Sequence, residues 1–238
     1  PQSSTFLFFR WKRQVCKRTS PAPGLGSGRG RALLVAAGVP CVATEPARSA
    51  AAAVAAADRL GYPVVCKVEH PELSHKSDVG GVRLGLADAA AVETAAAQLL
   101  ALRPGASVLV QATGSGLEIV VGGLRDPAYG PVVMVGLGGV RVEVLGDGAF
   151  ALAPVTAEYA GTMLRTLRGA AVLDGVRGAP AVDVAALATV VVAVGELIAG
   201  VPDIAEIDLN PVLAGPHGVL AVDWRILRTD GRLDEALG

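Results

Sequence analysis

The chain has 238 residues, with 21 basic and 22 acidic side chains and 52% hydrophobic residues, of which few are aromatic. That length can bury a substantial core in one or two domains, and the apolar content excludes a disordered chain. The formal charge of −1 is unevenly spread: no acid precedes Glu45, residues 10–31 carry seven bases, and the remainder is net −8. A basic arm on an acidic body raises nucleic acid or membrane contact. Residues 19–30, TSPAPGLGSGRG, read instead as a linker, so residues 1–30 are expected to be a basic, disordered extension with neither partner. Cys16, Cys41 and Cys66 lack metal-like spacing, and an odd count fits a reducing, cytoplasmic setting. Phe6–Phe9 is too short for a secretory core, and the apolar run Val184–Gly195 stops at Glu196, too short to span a bilayer.

In chain order, Arg31 to Gly38 reads as a helix end closed by Gly38. Ser49 to Leu60 is an alanine-rich helix ending at Gly61. Pro63 to Glu69 is a β-branched strand, His70 to Asp78 a loop, and Gly81 to Leu86 a second strand. Asp88 caps a helix running to about Leu102. Ser107–Ala112, Leu117–Leu124, Pro131–Gly136 and Val140–Leu145 are short strands between Gly, Pro and Asp turns, which points to antiparallel pairing. Thr156 opens a helix to about Leu167, and Asp183 caps a longer one to about Ile198. Ile204–Leu209 and Val219–Trp224 read as two strands joined by the turn at 215–218. The pattern is α+β in two lobes, expected at 31–105 and 106–230, with a cleft between them and a tail at 231–238.

Four constellations could carry chemistry. Only four lysines stand against seventeen arginines, and two of them, Lys67 and Lys76, fall within ten residues. Lys67 lies in the apolar run VVCKV, and Lys76 follows His75 in a loop closed by Gly80-Gly81. Lysine is a point charge suited to phosphate, and a glycine pair lets backbone N–H groups approach an anion. The bland reading is a snorkelling lysine beside an ordinary turn. No Walker-type G-x-x-x-x-G-K-[ST] is present, so a nucleotide site here needs another scheme. In EIDLNP, strand alternation sets Glu206, Asp208 and Asn210 on one face, a cradle of oxygen ligands for Mg²⁺ or a solvated edge. Asp223, in the apolar run before it, is expected to need a partner or a metal. Gln111 and Glu118 could hold an adenine or ribose edge; a solvated edge fits Gln111 better than Glu118. Gly136-Leu137-Gly138-Gly139 with Glu143 reads as a hairpin turn rather than a ligand loop.

Taken in order, GYPVVCKVEHPELSHKSDVGGVRLGL, VLVQATGSGLEIVVGGLRDPAYGPVVMVGLGG, EIDLNPVL and GVLAVDWRI resemble the ATP-grasp domain of the ADP-forming acyl-CoA synthetases. The resemblance covers about residues 31–228 and implies an ATP-grasp fold with the nucleotide between the lobes. It implies that Lys67 meets the phosphates or base and that Gln111 and Glu118 bind the adenine or ribose side; Lys76, Gly80 and Gly81 are expected to bind the nucleotide on the chemistry given above. Asn210 and Asp223 look like the Mg²⁺ ligands, with Asp208 nearby, and His75 looks like the residue that carries a phosphoryl group to ADP. The implied cofactors are ATP/ADP and Mg²⁺. The implied partner is a CoA-binding, α-type subunit or domain that handles the carboxylate and acyl-CoA, without which the chain is expected not to make acyl-CoA. The competing readings are another ATP-grasp carboxylate ligase and a non-catalytic nucleotide-binding regulatory module.

Overall fold

The computed structural model describes residues 24–70, 79–138, 147–176 and 178–229. They form two compact units: residues 42–114, and the chain up to Cys41 joined with the chain from Ser115 onward.

The smaller unit is a four-stranded antiparallel sheet with two helices. Its strands are β1 (Thr44–Ala47), β2 (Val64–Glu69), β3 (Val82–Leu86) and β4 (Ser107–Ala112), in spatial order β1-β4-β2-β3. Helices α2 (Ala50–Leu60) and α3 (Ala89–Leu100) start where Ser49 and Asp88 accept the N–H groups of Ala52 and Ala91. Gly61, at φ +83, ends α2. Val64, Cys66, Val68, Val108 and Val110 meet Ala53, Ala56, Ala57, Val92, Ala96 and Leu99 in one core. Alanine lets the helices lie close on the sheet, so β-branched strand residues fill the space between the layers. Burial pushes the Cys66 thiol up to about 11.

This unit departs from the expected boundary at 105/106. The strand Ser107–Ala112 pairs with both β1 and β2 and supplies Val108 and Val110 to the core, so the unit runs on to Gly114. The expected extension also ends early, because helix α1 (Ser27–Ala36) begins within residues 1–30. Its glycines are tolerated because tertiary contacts hold the segment. Gly24 bridges Leu227, and Leu25 N–H donates to the Ile226 carbonyl at 3.0 Å. Gly38, at φ +84, closes the helix as expected.

The larger unit is built on β5 (Leu117–Asp126), β6 (Gly130–Leu137), β7 (Gly148–Leu152), β8 (Ile204–Gly215), β9 (Gly218–Ala221) and β10 (Trp224–Arg228). The order is β10-β8-β5-β6-β7, with β9 also on β8, and every pairing is antiparallel. Helices α4 (Ala157–Arg165) and α5 (Val184–Gly200), opened by the Thr156 and Asp183 caps, cover one face over Ile119, Val121, Val133, Val135, Ile207 and Leu209. Arg125 gathers the far end of α5: its Nη2 donates to the carbonyls of Ile198 (2.5 Å) and Val201 (3.1 Å), and its Nε to that of Ile204 (3.3 Å). The Ile198 carbonyl is an orphan acceptor of the helix C-terminus, met here by a cation. The expected strand Val140–Leu145 and Glu143 lie outside the described residues. The expected strand Val219–Trp224 is instead two, β9 and β10, broken at Val222-Asp223. The break sits opposite Asn210-Pro211, where β8 slips its register against β5 between Ile119 and Val121.

Candidate functional site: a buried lysine face and an acidic strand

In the smaller unit, β2 and β4 pair with Lys67 opposite Leu109 and Val65 opposite Gln111. Directly opposed residues share a face, and so do residues two apart. Lys67 and Gln111 are therefore diagonal neighbours on the face turned away from α2 and α3. Both are buried, at 8% and 3% exposure, and Val65 and Leu109 beside them are buried as well. The solvated-edge reading of Gln111 is thus overturned; β1 covers its other side, with Thr44 opposite it. Gly80, at φ +63, and Gly81 close the loop ahead of β3: the Gly81 carbonyl accepts Val68 N–H at 2.8 Å, and the Arg83 guanidinium donates to the Gly80 carbonyl. Sequence reasoning passed over Arg83, although its place two residues after a Gly-Gly pair was a usable signal. His75 and Lys76 lie outside the described residues.

In the larger unit, Glu206 and Asp208 stand on the sheet face opposite to that carrying Ile207 and Leu209. Glu206 is 1% exposed. Asp208 Oδ1 is buried without a hydrogen bond. Burial first, then the Glu206 charge, pushes the Asp208 carboxyl up to about 7; Asp223 adds to the rise and the Arg225 guanidinium opposes it. Arg225 is the residue that sequence reasoning missed here. It stands directly across the ladder from Asp208, a pairing visible only once β10 begins at Trp224.

Asn210 lies in the β8 bulge and, unlike Glu206, is exposed. Asp223 is also exposed, in the break between β9 and β10, rather than among buried aliphatics. The reason is local: Pro211 has no N–H to donate, so the ladder reorganises around it. Val222 N–H donates to the Pro211 carbonyl at 3.1 Å and Asn210 N–H to the Asp223 carbonyl at 3.2 Å, which sets Asn210 and Asp223 side by side. Glu118, at the start of β5, is exposed. Gly138 N–H donates to its carbonyl at 2.6 Å, and a Cβ on Gly138 would stand 2.7 Å from the Glu118 carbonyl carbon. That close approach, rather than a turn alone, accounts for glycine at 138.

Among the described residues no three His, Cys, Asp or Glu side chains form a metal cage. The donors at hand are amide and carboxylate oxygens, among them the buried Asp208 Oδ1, which lacks a hydrogen bond. Such a set fits a hard cation that keeps part of its water and phosphate shell, and not a closed transition-metal site. Among the described residues no helix is long and apolar enough to cross a membrane.

Two such α+β units with these antiparallel sheets define an ATP-grasp domain. A family model for the ATP-grasp domain matches residues 22–227, and the chain belongs to that family. It is 38% identical over 198 residues to the acetate–CoA ligase (ADP-forming) I subunit beta of Pyrococcus furiosus, covering 80% of this chain and 85% of that one. It is 35% identical to the 4-hydroxybutyrate–CoA ligase (ADP-forming) of Nitrosopumilus maritimus, of which it spans only 29%. Among solved structures it superposes on the acetyl-coenzyme A synthetase 1 of Ca. Korarchaeum cryptofilum, in complex with coenzyme A and Ca-AMPCP, with a TM-score of 0.82 at 34% identity, over 93% of this chain and 98% of that one. A second structure of that protein, with coenzyme A and Mg-AMPPCP and its phosphohistidine segment pointing towards the nucleotide binding site, matches with a TM-score of 0.77 at 32% identity, over 94% of this chain and all of that one. This chain is accordingly the β-type, ATP-grasp part of an ADP-forming acyl-CoA synthetase.

Proposed function

We propose that the chain binds Mg·ADP and Mg·ATP and moves a phosphoryl group between a histidine and the nucleotide, as one half of an ADP-forming acyl-CoA synthetase. The observation that carries this reading is the buried Lys67–Gln111 face, a cation and an amide sharing one strand surface. Lys67 neutralises phosphate charge and Gln111 reads a nucleotide edge, with Glu118 on the ribose or adenine side. Gly80 and Gly81 bring backbone to the phosphates beside Lys76. Asn210 and Asp223 hold Mg²⁺, with Asp208 behind them; the ion supplies charge neutralisation for the transferring phosphoryl group.

His75 is the phosphoryl carrier. In the ATP-forming direction its N–P bond breaks, a terminal phosphate oxygen of ADP forms the new O–P bond, and the imidazole is released. Such transfers need alignment and charge neutralisation more than covalent machinery, which matches a site made of cations and oxygen ligands. Activation of the carboxylate and its transfer to coenzyme A fall to an α-type, CoA-binding partner.

The test pairs binding with labelling. Calorimetry should show Mg·ADP binding to the chain alone. Supplying the α-type partner and [γ-³²P]ATP should give an acid-labile label on the chain that His75→Ala removes. Absence of heat with Mg·ADP and Mg·ATP ends the proposal. Binding without acid-labile label leaves a nucleotide-binding regulatory module in its place.

A further inference from the structure

We infer that Trp224 is a positioning residue for the cation site, holding Asn210 and Asp223 in register from beneath while helix α1 holds Trp224. The inference rests on the reading of Asn210 and Asp223 as cation ligands. Both lie where the ladder does not fix them, Asn210 in the β8 bulge and Asp223 in the break between β9 and β10. Beside the bond from Val222 N–H to the Pro211 carbonyl, what ties the two residues themselves together is one peptide unit, that joining Asp223 to Trp224. Its carbonyl accepts Asn210 N–H at 3.2 Å, and its N–H donates to Asp223 Oδ1 at 3.1 Å. A rotation of that one plane therefore moves both side chains at once.

The indole on the same residue sets the plane. Trp224 pairs with Leu209, and its ring packs against the helix-covered core. Its Nε1–H donates to the Ser27 carbonyl at 3.0 Å, in the first turn of α1. One turn on, Gly30 is buried directly against the ring: a Cβ there would stand 3.1 Å from Cδ1 and 3.3 Å from Nε1. Because Leu25 and Gly24 bond to β10 at Ile226 and Leu227, the segment that presses on the indole is anchored to the strand that bears it. The N-terminal stretch that reads as a linker in sequence thus becomes the backing of the cation site. Groups behind metal ligands commonly set metal affinity by orienting those ligands.

Two variants of the full chain test this. Trp224→Phe keeps a ring in the core and removes the bond to Ser27. Gly30→Ala drives a methyl group into the indole. Calorimetry measures ADP affinity with Mg²⁺ and with EDTA, and the ratio of the two is the readout. Each variant should weaken Mg·ADP binding by about tenfold while leaving metal-free ADP affinity at the wild-type value. A lowered melting temperature with an unchanged ratio in both variants overturns the inference, since Trp224 is then structural only; an unchanged melting temperature and ratio overturns it equally. Should Gly30→Ala fail to fold, Trp224→Phe decides alone. Should the wild-type chain show no Mg²⁺ dependence, or Asp223→Asn keep it, the cation-ligand reading fails and takes this inference with it. Wild-type dependence lost in Asp223→Asn but kept in the two variants sinks this inference only.

Discussion

Lys67 and Gln111 stand diagonally across two antiparallel strands, on one face, and both are buried. A buried ammonium and a buried amide on the side of a sheet away from its own helices are costly unless something polar completes them. Lys67→Met keeps the length and apolar stem and removes the charge. It should weaken Mg·ADP binding by about ten- to a hundredfold, the range of a hydrogen bond to a charged group. Gln111→Leu should cost less, about tenfold, because a neutral donor is lost. Calorimetry on both variants, with circular dichroism as the check on folding, measures this.

Asp208 gives a pH signature. Its carboxyl is raised from 3.8 to about 7, chiefly by burial, so the folded chain binds the proton more tightly than the unfolded chain does. Stability from this group is fully present below pH 4 and is lost as pH rises towards about 7. The metal-free protein should therefore show a falling contribution across that window, which Asp208→Asn abolishes. Melting temperatures of wild type and variant from pH 4.5 to 8, each with EDTA and with excess Mg²⁺, provide the comparison. Mg²⁺ should displace the proton and flatten the wild-type curve.

Arg125 predicts stability without function. It donates to three carbonyls around the end of α5, and Arg125→Ala leaves them without that donor. A loss of about 2–4 kcal/mol in unfolding free energy should follow, with nucleotide affinity unaltered in the folded fraction. Urea unfolding gives the first quantity and calorimetry the second.

Gly138→Ala is expected to do the reverse. The added methyl group would overlap the Glu118 backbone, and β5 must shift at its first residues. Nucleotide affinity should fall by about five- to tenfold, a modest loss for a displaced contact, while α5 and its core stay intact. An unchanged dissociation constant would mean that Glu118 is not a nucleotide contact.

The elements were largely readable in the sequence because their ends are chemical. Ser49, Asp88, Thr156 and Asp183 each cap the helix they announce, and Gly38 and Gly61 close theirs. The units were less readable. Ser107–Ala112 looks like the first strand of a β-rich half, yet pairs with strands some forty and some sixty residues earlier, and local pattern carries no information about pairing partners. Residues 27–30 looked like linker because glycine and serine dominate them, whereas packing against Trp224 makes them helix. At the site, Lys67 stood out as a charge in an apolar run. The burial of Gln111 and the exposure of Asp223 did not, since the first depends on β1 covering β4 and the second on a strand break imposed by Pro211.

Cys66 and Cys41 fall in different units, and burial pushes both thiols up to about 11. Cys66 is fully buried, so it meets a disulfide reagent only when the backbone around it opens, whereas Cys41 is half-buried and needs no such opening. The smaller unit thus carries its own clock: the pace at which the Cys66 sulfur is captured by a reagent times the opening of residues 42–114 alone, and nucleotide should slow it when added.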